Sequence, residues 1–375
     1  MTIAVHPEFW RGKRVLLTGH TGFKGSWLSL WLGHLGAEVC GTALDPPTNP
    51  SMFEEAKVAQ GMHSEIADIR DPNRLTAILR EHRPEVVFHM AAQPLVRESY
   101  EDPVGTYATN VMGTVNVLES VRAIDSVRAV VVVTSDKCYE NREWAWPYRE
   151  TDRLGGYDPY SNSKACAELV VSAYRDSFFP PAEHALHGLA IASARAGNVI
   201  GGGDWAECRL VPDIMRAFAA NKVLKIRNPN AVRPWQHVLE PLSGYLTLAQ
   251  RLCENGVECG EAWNFGPDPS SAQPVEWVVR EIANIWGNGA RWELEEASHP
   301  HEANMLKLDC SKAVEYLGWH PKLKLNDALS SAVDWYKEWL IGRDMRTYTI
   351  AQINDYSKDQ HQGTSSEKPP MGSRR

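Results

Sequence analysis

The chain has 375 residues, of which 43% are hydrophobic and 23% are charged, and its net charge is −8. These values are ordinary for globular proteins and leave room for two or three average domains or for one large α/β unit. The negative charge argues against non-specific binding of nucleic acid, and no unbroken apolar run is long enough to cross a membrane. The first 14 residues lack the apolar core of a signal peptide, so we expect a cytoplasmic protein.

Cysteines and histidines give no sign of a disulfide framework or of a metal centre. The seven cysteines are scattered without a CxxC pair, and the thirteen histidines show no cluster with ligand spacing. An odd number of scattered cysteines is typical of reduced, mostly buried thiols. We therefore expect no metal in the functional site.

A glycine-rich stretch near the N-terminus carries the strongest functional signal. The apolar run Val15–Leu17 predicts a buried strand, and residues 23–35 predict the helix that follows it. Gly19 permits a sharp turn, Gly22 lets backbone N–H groups approach a pyrophosphate, and Gly25 lets the helix pack closely on the strand. The GxxGxxG loop therefore predicts a dinucleotide site. The residues assigned to it are Gly19, Thr21, Gly22, Phe23 and Gly25.

Asp45 ends the next apolar run, twenty residues after Gly25. A carboxylate at that point can accept both ribose hydroxyls of adenosine and would repel the 2′-phosphate of NADP, which favours NAD as the cofactor. The alternative is that Asp45 is only a loop acid before Pro46 and Pro47.

Two further strand ends are assigned to the same cofactor. The third predicted strand, over 64–71, ends in acidic residues, and Asp68 is expected to bond the adenine amino group. The fourth strand runs into Ala91 and Ala92, whose small side chains allow a dinucleotide to pass closely.

The alternation of strands and helices predicts an α/β fold with a doubly wound parallel sheet of the Rossmann type. A long helix is predicted over 102–122, where Asn110 is expected to bond neighbouring backbone groups. The NAD-binding domain is placed at 1–195, and the short segments of 196–345 predict a smaller, mixed lobe for the substrate. The polar tail, 355–375, is expected to be poorly ordered.

Tyr160 and Lys164 are expected near the start of a helix that follows Asp158. Residues four apart share a helix face, so the Lys164 ammonium is expected to lower the pKa of the Tyr160 phenol. Such a tyrosine can remove a proton from a substrate alcohol while hydride leaves the same carbon for nicotinamide. Ser135 follows a predicted central strand over 129–134 and joins this set. For the YxxxK pair alone, the alternative is an exposed pair on a helix.

The glycine loop, Ser135 and the Tyr160–Lys164 pair resemble the signature of the extended short-chain dehydrogenase/reductase family, over nearly the whole chain to about Leu340. The segments 18–27, 134–139, 195–205 and 233–238 look like those of its nucleotide-sugar 4,6-dehydratases. The resemblance implies NAD as cofactor, CDP-glucose as substrate, and an internal cycle of oxidation, loss of water and reduction.

In that cycle the resemblance implies that Tyr160 takes the proton of the sugar 4-hydroxyl, while Ser135 bonds the same oxygen. Asp136 is then the acid toward O6, and Lys137 is the base toward C5. Related dehydratases have a glutamate in place of Lys137, and a lysine can act as a base only when it is neutral.

Three residues are candidates for the pyrophosphate of the substrate. Arg195 and Arg233 can bind phosphate oxygens with two N–H groups each, and Asn198 follows directly on a strand end. For Arg233 the alternative is stacking on Trp235.

Two other functions remain open at this point. A nucleotide-sugar epimerase or decarboxylase would need Tyr160 and Ser135 but not the pair Asp136–Lys137. A non-catalytic NAD-binding redox sensor would not need the intact Tyr160–Lys164 pair. The family resemblance also implies a homodimer or homotetramer, formed through the helices over 102–122 and 159–178.

Overall fold

The computed structural model describes residues 5–287, 289–294 and 305–362 of the chain. Its strands are β1 Arg14–Thr18, β2 Glu38–Ala43, β3 His63–Ile66, β4 Val86–His89, β5 Ala129–Val133, β6 Ala190–Ala196, β7 Val199–Ile200, β8 Val223–Ile226, β9 Val232–Pro234, β10 Gln236–His237, β11 Ala262–Phe265, β12 Ala272–Pro274 and β13 Arg291–Leu294.

Its α-helices are α1 Pro7–Trp10, α2 Phe23–His34, α3 Met52–Glu55, α4 Pro72–His82, α5 Val96–Glu101, α6 Pro103–Tyr107, α7 Gly113–Arg122, α8 Pro159–Phe178, α9 His184–His187, α10 Leu210–Ala219, α11 Leu239–Cys259, α12 Val275–Trp286, α13 Leu325–Leu340 and α14 Met345–Gln362. None of the helices in the described part of the chain is long and apolar enough to cross a membrane.

Seven parallel strands form the central sheet in the order β11-β6-β5-β4-β1-β2-β3. The chain winds outward from β1 to β3 and then returns to continue on the other side with β4, so the winding reverses between β1 and β4. Ligands bind at such a switch point, beyond the carboxyl ends of the strands. The doubly wound α/β fold expected from the sequence is thus confirmed, and β11 returns to this sheet from the C-terminal part of the chain.

Alternate residues of the central strands pack into two separate cores. Val15 and Leu17 of β1 join the core that also contains Trp27 of α2. Leu16, between them, joins the core on the opposite face, with Leu75 of α4 and Val117 of α7. In a strand that is buried on both faces no side chain points to solvent, which explains the unbroken apolar sequence of β1.

Beyond β6 the chain forms short pairs of strands beside α10, α12 and α13. β10 pairs with β7 and β13 with β8 in parallel, whereas β12 pairs with β9 in antiparallel orientation. These three pairs are separate from the seven-stranded sheet.

The helix expected over 102–122 is interrupted, because α6 and α7 are joined by a π-helical segment, Ala108–Met112. Asn110 lies in that segment, where its side chain accepts from the Gln93 backbone N–H at 2.8 Å and donates to Ser163 Oγ at 2.8 Å. The third strand also ends earlier than expected, at Ile66. Asp68 therefore lies in the loop after the strand.

The expectation of a poorly ordered tail from residue 355 is wrong for its first part, since α14 continues to Gln362. Tyr356 is buried against the rest of the chain, and its hydroxyl donates to Glu240 Oε2 at 2.9 Å. Met345 and Ile353 of the same helix are buried in the core as well, and the mainly polar composition of this segment does not reveal these anchors. Residues 363–375 lie outside the described residues.

Candidate active site

The glycine loop connects β1 to α2 at the switch point of the sheet. Gly19 has a φ of +82°, and a Cβ there would lie 2.7 Å from the backbone nitrogen of Ala91. A Cβ on Gly25 would lie 2.1 Å from the carbonyl oxygen of Gly19, so only glycine allows this close packing. Gly22 is the N-cap of α2 and provides no side-chain cap, which leaves the first N–H groups of the helix facing the loop opening. The loop thus fits a pyrophosphate at the helix N-terminus.

Thr21 holds the glycine loop against the end of β2, because its hydroxyl donates to the carbonyl oxygen of Leu44 at 2.8 Å. Asp45 follows Leu44 and is exposed at the carboxyl edge of the sheet. Phe23, partly buried, lies in the first turn of α2. Thr21, Phe23 and Asp45 thus lie around the glycine loop at the carboxyl edge of the sheet, and their contact with the cofactor stays a prediction.

Asp68 lies one strand further along the same edge. The Arg70 side chain donates to both of its carboxylate oxygens, with Nε 3.0 Å from Oδ1 and Nη2 2.6 Å from Oδ2. Hydrogen bonding to Arg70 lowers the pKa of Asp68. Asp68 is therefore an ionised acceptor, although part of its bonding capacity is already used by Arg70.

Ala91 and Ala92 lie just beyond β4, opposite the glycine loop. The Thr18 hydroxyl accepts from the backbone N–H groups of Met90 and Ala91, at 3.1 Å in each case. This bond fixes the two strand ends together and leaves only small side chains beside Gly19.

The groups expected to react lie at the end of β5 and in the first turn of α8. Ser135 Oγ donates to Asp136 Oδ1 at 3.0 Å, and Lys137 Nζ lies 3.3 Å from the same oxygen. Asp136 is 1% exposed, whereas the Lys137 side chain is 35% exposed. The Ser135 hydroxyl also lies near enough to the Tyr160 phenol to lower its pKa. The structure thus brings four of the five expected catalytic residues into one connected group.

Tyr160 differs from the expectation in the direction of its pKa. Burial raises this pKa, and the Lys137 ammonium, the Ser135 hydroxyl and the Arg209 guanidinium oppose the rise. Lys164, expected to stand beside the phenol, donates instead to the carbonyl oxygen of Val133 at 3.3 Å. Burial lowers the pKa of Lys164 to about 8. The expectation that Lys164 lowers the phenol pKa is therefore wrong in this structure, because desolvation outweighs the neighbouring charges.

Arg195 does not face a substrate site, which corrects its assignment to the pyrophosphate. It is 3% exposed, and its Nη2 lies 2.7 Å from Glu168 Oε2. Its Nη1 donates to the Tyr139 hydroxyl at 2.8 Å and to the Glu150 carbonyl oxygen at 3.2 Å. These contacts tie β6 to α8 beneath the site, so the guanidinium is a buried structural cation.

Asn198 and Arg233 remain at the edge of the site. A Cβ on Gly197, the residue before Asn198, would lie 2.6 Å from Asp136 Oδ2, so this loop runs directly past the carboxylate. The Asn198 side-chain oxygen is buried without a hydrogen-bond partner among the described residues. Arg233 lies on β9, with its Nη1 3.0 Å from the carbonyl oxygen of Val232.

A family model described as GDP-mannose 4,6 dehydratase matches residues 16–332, which covers the sheet, the glycine loop and the reactive group. The chain belongs to this family. It is 58% identical to the CDP-glucose 4,6-dehydratase of Salmonella typhimurium over 94% of this chain and 98% of that protein. A dTDP-glucose 4,6-dehydratase of Xanthomonas campestris is 27% identical over 90% of this chain and 98% of its own length.

Among solved structures, the UDP-glucose 4-epimerase of Thermus thermophilus in complex with NAD superposes with a TM-score of 0.73. It is 25% identical and covers 86% of this chain and 99% of its own. Dehydratases and epimerases thus share this fold, and the residues around the sugar must decide between the two reactions.

Two cationic residues near the reactive group, Lys24 and Arg209, are not among the site residues that the sequence predicts. Lys24, inside the glycine loop, has its Nζ 5.7 Å from the ring centre of Tyr245. Burial lowers the pKa of Lys24 to about 7, and the charges of Lys164 and Arg209 act in the same direction. Arg209, before α10, pairs with Asp204 at 3.0 Å. The available signal was a lysine in the otherwise apolar start of α2.

Proposed function

We propose that this chain converts CDP-glucose into CDP-4-dehydro-6-deoxyglucose, with NAD as a cofactor that is regenerated in each cycle. The proposal rests on the 58% identity to a CDP-glucose 4,6-dehydratase over nearly the whole chain. The geometric observation that carries it is the chain of contacts from Tyr160 through Ser135 to Asp136. Groups for alcohol oxidation and a carboxyl group for elimination of water therefore share one site.

NAD is assigned to the glycine loop and the neighbouring strand ends. The open helix N-terminus at Gly22 receives the pyrophosphate, Asp45 the ribose and Asp68 the adenine. Ala91, Ala92, Tyr160 and Lys164 complete the cofactor contacts. When bound, NAD supplies the acceptor for the hydride from C4 and the donor of the hydride to C6.

In the oxidation step Tyr160 removes the proton of the 4-hydroxyl, and Ser135 donates a hydrogen bond to the same oxygen. Because burial raises the pKa of Tyr160, the phenolate depends on the cations around it. Lys137 and Arg209 are two such cations. Their removal would therefore slow the first step even though neither takes the proton.

In the elimination step the proton at C5 moves to a base, the C6–O bond breaks, and Asp136 gives a proton to the departing oxygen, so that water leaves. Lys137 is the first candidate for the base. Its 3.3 Å contact with Asp136 pairs an ammonium with a carboxylate, so a proton must first pass from Lys137 to Asp136, which leaves Lys137 as the neutral base and Asp136 as the acid. Lys24 is a second candidate, since its pKa of about 7 leaves a large neutral fraction at neutral pH.

For the substrate pyrophosphate we retain Asn198 and Arg233 and add Arg209 in place of Arg195. The Arg209 side chain is 35% exposed, compared with 3% for Arg195. It also lies close enough to the reactive group for its charge to act on Tyr160.

The proposal is tested by incubating the purified protein with NAD and, separately, with CDP-glucose, dTDP-glucose and GDP-mannose, and by following the product mass. Loss of one water from CDP-glucose alone, without net NADH, is the expected result. An unchanged mass with altered stereochemistry would show an epimerase instead. No reaction with any of the three sugars would refute the assignment of the substrate.

We also propose that two copies associate through the surface formed by α5 to α8. Exposed apolar side chains lie along it, including Val104 at 78%, Met112 at 53% and Leu169 at 59%. A surface of this kind gains stability when a second copy covers it. The resulting homodimer, or a tetramer of two such dimers, would leave the carboxyl edge of the sheet open to substrate.

A further inference from the structure

A cluster of metal-ligating side chains lies at the end of the sheet opposite to the reactive group. His63 and Glu65 are two residues apart on β3 and therefore point to the same face. His82 lies in the last turn of α4, which packs on that face. One ligand atom from each of the three residues lies within 4.8 Å of the others. Register and packing, not sequence spacing, bring these residues together.

The cluster opens into a cleft of about 440 Å³ at the amino ends of the strands. His63 and His82 line this cleft, together with Cys40 and Arg14 at the starts of the two neighbouring strands. Cys40 is paired in register with His63. The cleft therefore leads from solvent to the side of the two imidazoles without passing the catalytic edge of the sheet.

The state of each ligand favours a cation. His82 Nε2 is buried and has no hydrogen-bond partner among the described residues. The imidazoles of His63 and His82 lie side by side, with ring centres 4.4 Å apart. His63 Nε2 lies 2.8 Å from Glu65 Oε1, so a metal ion can replace the proton that these two atoms share. An imidazole nitrogen without a partner costs stability unless something binds it.

Arg74 provides the outer support that a carboxylate ligand needs. It pairs with Glu65 Oε2 and leaves Oε1 facing the histidines. Metal-binding carboxylates are commonly held by a second hydrogen bond of this kind. Arg74 thus pairs with Glu65 Oε2, the carboxylate oxygen that does not face the two histidines.

We propose that His63, Glu65 and His82 bind a divalent transition-metal ion of the zinc class, with water completing the coordination. Two imidazoles and one carboxylate form a common ligand set for zinc. The ion would join β3, the edge strand of the sheet, to the end of α4. Its expected role is to hold this edge in place, because the site lies at the opposite ends of the strands from Ser135 and Tyr160.

The test uses untagged full-length protein, freed of metal by a chelator, in titration calorimetry with Zn²⁺ and in visible absorption with Co²⁺. We compare the unchanged chain with His63→Asn, His82→Gln and, as the matched control, His320→Asn, which alters an exposed histidine outside the cleft. Circular dichroism checks that each variant is folded.

The expected result is one Zn²⁺ per chain for the unchanged protein and for His320→Asn. In His63→Asn and His82→Gln the affinity should fall at least about tenfold, since even outer-shell changes cost 10- to 100-fold. Zinc should also raise the unfolding temperature of the first two proteins more than that of the other two. Equal affinity in all four proteins, or no binding by the unchanged chain, would overturn the proposal.

Discussion

Arg195→Met removes the cation of the buried ion pair between Arg195 and Glu168. Both side chains are 3% exposed, and their charged groups lie 2.7 Å apart. Breaking a buried pair in this way typically costs about 3–5 kcal/mol, because the remaining charge stays buried without compensation. Glu168 would keep the hydroxyl donors of Thr134 and Ser193. We therefore expect the free energy of unfolding to fall by about 3 kcal/mol, at the lower end of that range.

The loss of unfolding free energy in Arg195→Met should become smaller as the pH falls. Burial alone would raise the pKa of Glu168, but the Arg195 guanidinium and the hydroxyl donors lower it overall. A lowered pKa means that the pair contributes stability above the unfolded value, about 4.3, and loses it as the pH falls through the folded value. In Arg195→Met burial dominates and the pKa rises. The difference between the two proteins should therefore be largest near neutral pH and shrink toward pH 4.

Urea unfolding followed by tryptophan fluorescence measures this difference, and substrate kinetics are measured in parallel. The double variant Arg195→Met/Glu168→Leu should recover most of the lost stability, because it leaves no unpaired charge. Arg233→Met is the control, for which we expect a higher KM with unchanged stability. If Arg195→Met instead raises KM and leaves the unfolding curve unchanged, Arg195 binds substrate and its structural assignment is refuted.

Three further predictions concern the reaction and the assembly. Tyr160→Phe should bind NAD normally but lose at least about 100-fold in NADH formation during a single turnover with CDP-glucose, and normal turnover would exclude it as the base. If Lys24 is the base at C5, the rate of elimination in the unchanged enzyme should rise with pH through about 7, because the neutral amine forms above its pKa. Lys24→Met should abolish that rise. If the rise is lost only in Lys137→Met, the base is Lys137. Leu169→Glu should shift the protein toward monomers in light scattering, and an unchanged mass would place the interface elsewhere.

The sequence predicts the central sheet well, because strands buried on both faces are unbroken apolar runs. β1 and β5 were expected from Val15–Leu17 and from the β-branched residues 129–134, and both are present. The sequence also identifies the glycine loop. Only a residue without a side chain allows the backbone of Ala91 to lie against Gly19 and the carbonyl oxygen of Gly19 to lie against Gly25. These features are local, and local sequence is sufficient to specify them.

Contacts between distant segments could not be predicted in the same way. The sequence assigns Arg195 to a phosphate because a guanidinium can bind phosphate oxygens with two N–H groups, but Glu168, on another element, already neutralises it. Likewise Lys164 was expected beside Tyr160 from helix spacing, and burial then set the pKa of the phenol. Depth and partners, which decide the charge of a group, depend on how the elements pack.

The last described helix closes onto one of the first. Tyr356 of α14 packs edge-on against Trp31 of α2, with ring centres 5.7 Å apart, and His34 of α2 lies 2.6 Å from Asn354. The helix that we assign to the cofactor pyrophosphate is thus packed against residues 320 positions later in the chain. A growing chain can assemble the early strands but cannot complete the packing of α2 until α14 has been synthesised. A chain cut before α14 should therefore hold NAD weakly even though every residue of the glycine loop is present.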